Sequence, residues 1–179
     1  MRADAAANRD RILAAAEAVF SEAGEAGSTD DIARRASVGI GTVFRHFPTK
    51  QDLLEATLVH HFEGLTVQAR ALADGDPAAG LRELIEAMVG TGATKILLIG
   101  LLRDSDGTLP DAAVRAARQT RRAVGALLRR AQAAGAVRAD VSVDEVYLLI
   151  RGLALGAARP TKTATRRKAL DIVLAGLAS

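Results

Sequence analysis

The sequence predicts an all-α protein of about nine helices, and three observations carry that expectation. Apolar residues recur at helical spacing along most of the chain. Hydrophobic residues make up 49% of the 179 residues but aromatics only 3%, so the core must be built from Ala, Leu, Val and Ile, which suits helices better than sandwiches or barrels. No segment alternates with period two for long enough to argue a strand.

The first helix follows from Ile12, Ala15, Ala16, Val19, Phe20 and Ala23, which fall on one stripe, with Asn8 as its expected cap and Gly24 as its end. Ser28 or Thr29 then caps a short second helix, whose first turn holds Asp30 and Asp31 where the helix dipole favours them. Ile32, Ala33 and Ala36 form its inner face. Val38-Gly39-Ile40-Gly41 reads as a tight turn into a third short helix, Gly41 to Phe47, which Pro48 stops. Thr49 and Asp52 make a capping box for a long helix to about Leu72, with Gly64 as the place for a bend. Asp76 and Pro77 open the next. Two helices are expected there, about 77–89 and 93–103, separated near Gly90 and Gly92. Pro110 opens a helix to about Ala134 that Gly135 closes. Ser142 and Glu145 cap another reaching about Ala158, Pro160 breaks it, and a last helix covers about 163–177.

A chain of this length can bury roughly 70% of the surface its unfolded form exposes, so it needs no staple. It has no cysteine, which excludes disulfides, thiolate metal sites and cysteine nucleophiles. The longest uninterrupted apolar run, Ile96 to Leu102, is far short of the ~18 residues of a membrane span, and Met1-Arg2-Ala3-Asp4 lacks an apolar signal core. A cytoplasmic protein without a membrane partner is the expectation. The net charge of +3 hints at a polyanionic partner, but the distribution weakens the hint. Residues 1–55 hold seven Arg/Lys and nine Asp/Glu, whereas the rest hold seventeen and twelve. Any nucleic-acid role must therefore rest on individual cations.

Enzyme chemistry finds little support. The three histidines lie within residues 46–61, and no Gly-rich phosphate loop of Walker form occurs. The carboxylate pairs Asp30-Asp31, Asp74/Asp76 and Asp104/Asp106 sit at breaks and caps, where Asp is expected anyway. His60 and His61 point about 100° apart on a helix with no third ligand near, which favours a structural role over a metal. Neither a cofactor nor a metal is expected.

Three short helices and a long one, with a tight turn between the second and third, form helix-turn-helix architecture. Ile32-Ala33, Gly41-Thr42, Arg45-His46-Phe47-Pro48 and Thr49-Lys50 in this register resemble the DNA-binding signature of the TetR (tetracycline-repressor-like) family. Ile12-Leu13 through Phe20 and Gly24 resemble that family's first helix. The likeness covers about residues 9–56. Ser37 stands where a Gly is usual, at about 1 kcal/mol if the position needs positive φ. The spacing from Gly24 to Ile32 is one residue shorter than the common pattern, Glu25 replaces an aromatic, and an apolar residue early in the second helix is missing. Beyond residue 60 only helical layout and lengths fit.

The resemblance implies a DNA-binding domain over residues 1–55 and an effector-binding and dimerisation domain over 56–179. The third helix would lie in the major groove. Gly41 would let the backbone approach closely, Thr42 and Arg45 would face bases or phosphates, and Arg45 would read guanine. His46, Lys50 and Thr29 would donate to phosphates. Phe44 replaces a Tyr whose hydroxyl bonds phosphate, and Ile40 would touch a thymine methyl. In the body, Phe62, Met88, Leu97, Leu98, Leu101 and Tyr147 are candidate linings for a small-molecule effector, with Arg103, Arg118 and Arg121 as polar anchors. A homodimer would form through the last two helices, with Val146, Leu149, Ile150, Leu153, Ala154 and Ala157 on one and Leu170, Val173, Leu174 and Leu177 on the other. Its two heads would sit roughly 34 Å apart and read a near-palindromic operator in double-stranded DNA. The function implied is a ligand-responsive transcriptional regulator, a repressor by family habit. The alternatives are a helical enzyme and a protein-interaction adaptor using Arg115, Arg118, Arg122 and Arg129.

Overall fold

Alanine-rich sequence starts the first helix earlier than its apolar stripe does. In the computed structural model, which describes residues 2–103, 106–157 and 162–179, α1 runs Arg2–Ala23. Asn8 is therefore inside the helix and not its cap, and its side chain accepts a hydrogen bond from Arg11. The alanines before it are the strongest helix formers, and Asp4 in the first turn suits the dipole, so helix propensity outweighs the cap. Gly24, at φ +60°, ends α1 in the left-handed region. A single 3-10 turn, Gly24–Ala26, leads to α2, Thr29–Arg35. Ser28 is the cap of α2: its Oγ accepts from the Asp31 amide at 3.1 Å and donates to the Asp31 carboxylate at 2.6 Å.

The helices that follow are α3 (Ile40–His46), α4 (Lys50–Leu72), α5 (Pro77–Leu102), α6 (Asp111–Ala133), α7 (Val143–Ala157) and α8 (Thr163–Leu177). The capping boxes form as the sequence predicts. The Thr49 hydroxyl and amide both reach Asp52 Oδ2, and the Asp52 amide returns to Thr49 Oγ1. The Ser142 amide donates to Glu145 at 2.8 Å, and the hydroxyl does the same. These bonds hold the Glu145 carboxyl below its usual range. Asp76 accepts from the amides of Ala78 and Ala79 at the start of α5. Pro160 and Asp104 lie outside the described residues.

A second helical expectation fails as well. The two helices foreseen over 77–103 are one, continuous through Gly90 and Gly92. Gly92 serves close packing: a Cβ there would stand 2.5 Å from the Ala154 Cβ of α7, so two helix backbones meet where any side chain would separate them. The described residues thus form eight α-helices and one 3-10 turn. By length and composition α5 is apolar enough to cross a membrane, yet Leu81, Leu84, Ile85, Met88, Leu98 and Leu102 bury against protein.

The chain gathers into two compact units, Met1–His61 with Thr94–Arg115, and Phe62–Ala93 with Ala116–Ser179. In the first, α1 packs on α2 and α2 on α3. Ile12, Leu13, Phe20, Ile32, Val43, Leu53 and Leu58 are almost wholly inaccessible there. Buried His61 places Nδ1 3.2 Å from Glu17 Oε1, joining α4 to α1. In the second unit, Leu65, Leu84, Ile85, Met88, Leu127, Leu128, Val146, Ile150 and Leu177 form the core. Two buried hydroxyls cross it: Thr66 and Thr120 lie 3.0 Å apart, and both donate to the Phe62 carbonyl at 2.9 Å. With the Phe62 carbonyl as their shared acceptor, neither hydroxyl carries the penalty of a lone buried donor.

Candidate nucleic-acid interface

The turn between α2 and α3 presents α3 by burying one of its sides. Val43, 1% exposed, and Phe47, 4% exposed, point inward. On the opposite side Ile40 and Phe44 stand one turn apart, as do Gly41 and Arg45, which makes a single outer surface. Phe44 is 45% exposed and Ile40 38%. Gly41, Arg45 and Lys50 are exposed, and Thr42, His46 and Thr29 half-buried. A seven-residue helix with an aromatic ring on its open side leaves apolar surface that burial within the chain does not use.

The electrostatics of this surface follow from which cations are already neutralised. Arg34 pairs with Asp31, and Arg35 with Glu22 at 2.6 Å. Both pairs are exposed and contribute little to stability. The Ser28 hydroxyl, first, and Arg34 hold the Asp31 carboxyl below its usual range. Among the described residues no acid pairs with Arg45 or Lys50, so their charges remain for an external anion. The α3 end is fixed from behind by Arg9, whose guanidinium lies 5.7 Å from the Phe47 ring centre, while the His46 ring tilts against Phe47 at 6.1 Å. Nothing in the motif announced Arg9, because a cation on α1 meets Phe47 only through the fold.

Ser37, in the turn itself, has φ +54° and is the one non-glycine with positive φ among the described residues. The departure at this position is therefore a left-handed serine, strained by about 1–2 kcal/mol relative to glycine's freedom.

The other residues singled out from sequence are more scattered. Of those assigned to an effector, Phe62, Met88 and Leu98 are buried, Leu97, Leu101 and Tyr147 half-buried, and Arg103 and Arg118 exposed. Arg121 is engaged: it pairs with Asp144 and stacks 5.4 Å from the Tyr147 ring centre. Burial pushes the Tyr147 hydroxyl up to about 12, with Arg121 opposing.

Among the residues assigned to a dimer face, Val146, Ile150, Ala154, Leu170 and Leu177 are buried within the protomer. Leu153, Val173 and Leu174 are half-buried, Leu149 is 37% exposed, and the Ala157 side chain lies outside the described residues. Besides Leu149, the exposed large apolar positions on α7 and α8 are Leu148 at 71%, Leu155 at 48% and Ile172 at 64%. Leu148 and Leu155, seven apart and flanking Gly152, carried that signal in the sequence. Beside them a cleft of about 180 Å³ is lined by Val89, Gly152, Leu153, Gly156 and Arg166 among others.

Comparison with known proteins places these features in a family. Residues 12–57 match the family described as bacterial regulatory proteins, tetR family, and residues 76–179 match that described as transcriptional regulator SbtR-like, C-terminal domain. A TetR transcriptional regulator from Streptomyces coelicolor is 34% identical in a superposition of TM-score 0.83, covering 95% of this chain and 98% of that one. A TetR transcription regulatory protein from Mycobacterium vanbaalenii is also 34% identical, with TM-score 0.79 over 99% of each chain. The HTH-type transcriptional repressor KstR of Mycolicibacterium smegmatis is 39% identical over 80 residues, which span 43% of this chain but only 39% of that repressor. With one profile matching the helix-turn-helix and another most of the remaining helices, this chain belongs to the TetR family of bacterial regulatory proteins.

Proposed function

We propose that the protein is a ligand-responsive DNA-binding transcriptional regulator, a repressor that a small molecule releases from a near-palindromic operator. It acts as a homodimer in the cytoplasm, with residues 1–55 as the DNA-binding domain and 56–179 as the effector and dimerisation domain. The observation that carries this reading is the open side of α3, where exposed Phe44 adjoins Arg45, with unpaired Lys50 just beyond. Arg45 reads guanine through its O6 and N7 atoms, while Phe44 and Ile40 meet thymine methyls. His46, Lys50 and Thr29 hold phosphates and fix the register without reading sequence. Gly41 lets the backbone come near. The exposed Leu148, Leu149, Leu155 and Ile172 meet their counterparts across a two-fold axis, and the interior residues Val146, Ile150, Ala154 and Leu170 support that face from behind.

The effector works by selection between two states. One holds the heads at the spacing of successive major grooves, the other does not, and an effector that prefers the second lowers DNA affinity by a coupling of typically 1–3 kcal/mol. The test is fluorescence anisotropy on DNA flanking the protein's own coding region, titrated with salt. Saturable, sequence-dependent and salt-sensitive binding at two chains per palindrome supports the regulator. If neither that DNA nor any member of a randomised library binds in preference to the bulk, the reading fails.

A further inference from the structure

α6 is the most one-sidedly charged element of the chain. Between Asp111 and Ala133 it holds Arg115, Arg118, Arg121, Arg122, Arg129 and Arg130 against the single Asp111. Arg121 is neutralised by Asp144, but Arg122 is not. It lies on a groove of about 420 Å³ between α6 and the last turns of α4, where Arg70 stands on the opposite wall. Ala69 of α4, Ala73 in the turn just after it, and Ala123 and Ala126 of α6 form the groove, with Gln119 adding an amide at its rim. Both guanidinium groups are exposed, and among the described residues neither has an acidic partner.

We propose that this groove binds a small organic anion, a phosphate monoester or carboxylate carrying a compact apolar body. Two features define the ligand. Paired guanidinium forks on facing walls match the oxygens of a phosphate or carboxylate and bind them more strongly than neutral donors would. Between these polar groups the alanines offer methyl groups, so the rest of the ligand is a ring or short alkyl chain. The Gln119 amide can donate to a third ligand oxygen or accept from a hydroxyl. The position also gives binding a structural consequence within the second unit. Arg70 is one turn beyond Thr66 on α4, and Arg122 lies two residues beyond Thr120 on α6, so the groove overlies the hydroxyl pair that joins these helices. An anion clamped between the arginines draws α4 and α6 together at the same level from outside.

The test uses the full chain without DNA, so its outcome is independent of operator binding. Phenyl phosphate and benzoate are the probes, and inorganic phosphate and phenol the controls. Titration calorimetry measures affinity, and the alanine methyl resonances of uniformly Ala-methyl-labelled protein report the site. The expected result is saturable binding of one or both probes, tighter than either control, with shifts at Ala69, Ala73, Ala123 and Ala126. Because both arginines are exposed, Arg70→Gln and Arg122→Gln fold normally, and each weakens binding about tenfold or more. Arg130→Gln, elsewhere on α6, leaves it unchanged. Binding that survives in the double Arg70→Gln/Arg122→Gln variant overturns the proposal, as do methyl shifts confined to other alanines or no saturation by either probe.

Discussion

The α1–α3 head and the α7–α8 pair use apolar residues in opposite ways. In the head the large apolar side chains that α1 and α2 offer are buried within the protomer: Ile12, Leu13, Phe20 and Ile32 are at most 1% exposed. Only α3 keeps an apolar ring in the open, and it stands beside an unpaired guanidinium. On α7 and α8, Leu148, Leu155 and Ile172 face outward, with Gly152 exposed between the two leucines and Gly156 next to the second. The head's open surface thus suits a charged, hydrated partner, and the α7–α8 surface suits another protein surface. Surface chemistry, more than fold, separates the two roles.

That contrast can be broken most directly at the outer face of α7 and α8. If the proposed homodimer forms through this face, Leu148→Glu combined with Ile172→Glu is expected to convert it to a monomer in sedimentation velocity. Each side chain lost from the interface removes about 1.5–3 kcal/mol of burial, and a two-fold axis counts each twice. Circular dichroism should remain unchanged, since neither residue is in the protomer core. A dimer that survives both charges places the interface elsewhere.

Next in size is the head's interior. Phe20→Ala should cost about 3–5 kcal/mol in urea unfolding, whereas Leu155→Ala in the monomeric background should cost less than about 0.5 kcal/mol. Similar losses would erase the distinction between the two regions.

The open side of α3 gives a smaller, more selective effect. Arg45→Ala is expected to lose about 1–3 kcal/mol of discrimination at one base position, read from affinities for single-base operator variants. Lys50→Ala should weaken every sequence alike and lower the salt slope by about one. An Arg45→Ala protein with unchanged preference would leave Arg45 as a phosphate contact only.

The smallest effect is at the turn. Ser37→Gly should stabilise the head by about 0.5–1 kcal/mol in thermal or urea unfolding, because glycine adopts φ +54° without the Cβ clash, less its greater freedom in the unfolded chain. A destabilised variant would mean that the serine hydroxyl contributes more than its backbone costs.

The same particulars explain what was legible in sequence. Caps were readable because they are local: Ser28, Thr49, Asp76 and Ser142 each meet a partner within three residues. The α2–α3 turn was readable for the same reason. Gly92 was misread because a glycine that breaks a helix and one that admits a neighbour look alike until Ala154 is seen beside it. Val146 and Leu148 illustrate the other limit. Both are apolar residues on one helix, and only the packing of α5, α6 and α8 decides which is inside. Arg121 likewise read as a free anchor because Asp144, its partner, is far away along the chain.

The contact at Gly92 also bears on how the second unit transmits movement. Most helix pairs touch through side chains that can change rotamer and absorb a small displacement. Between α5 and α7 there is at this point no side chain to turn aside, only a glycine backbone against an alanine methyl. Sliding or rotating one helix there meets hard repulsion at once, because packed interiors deform little. At this level the two helices therefore cannot approach more closely, and a push of α5 toward α7 is met by backbone and methyl with no rotamer to absorb it.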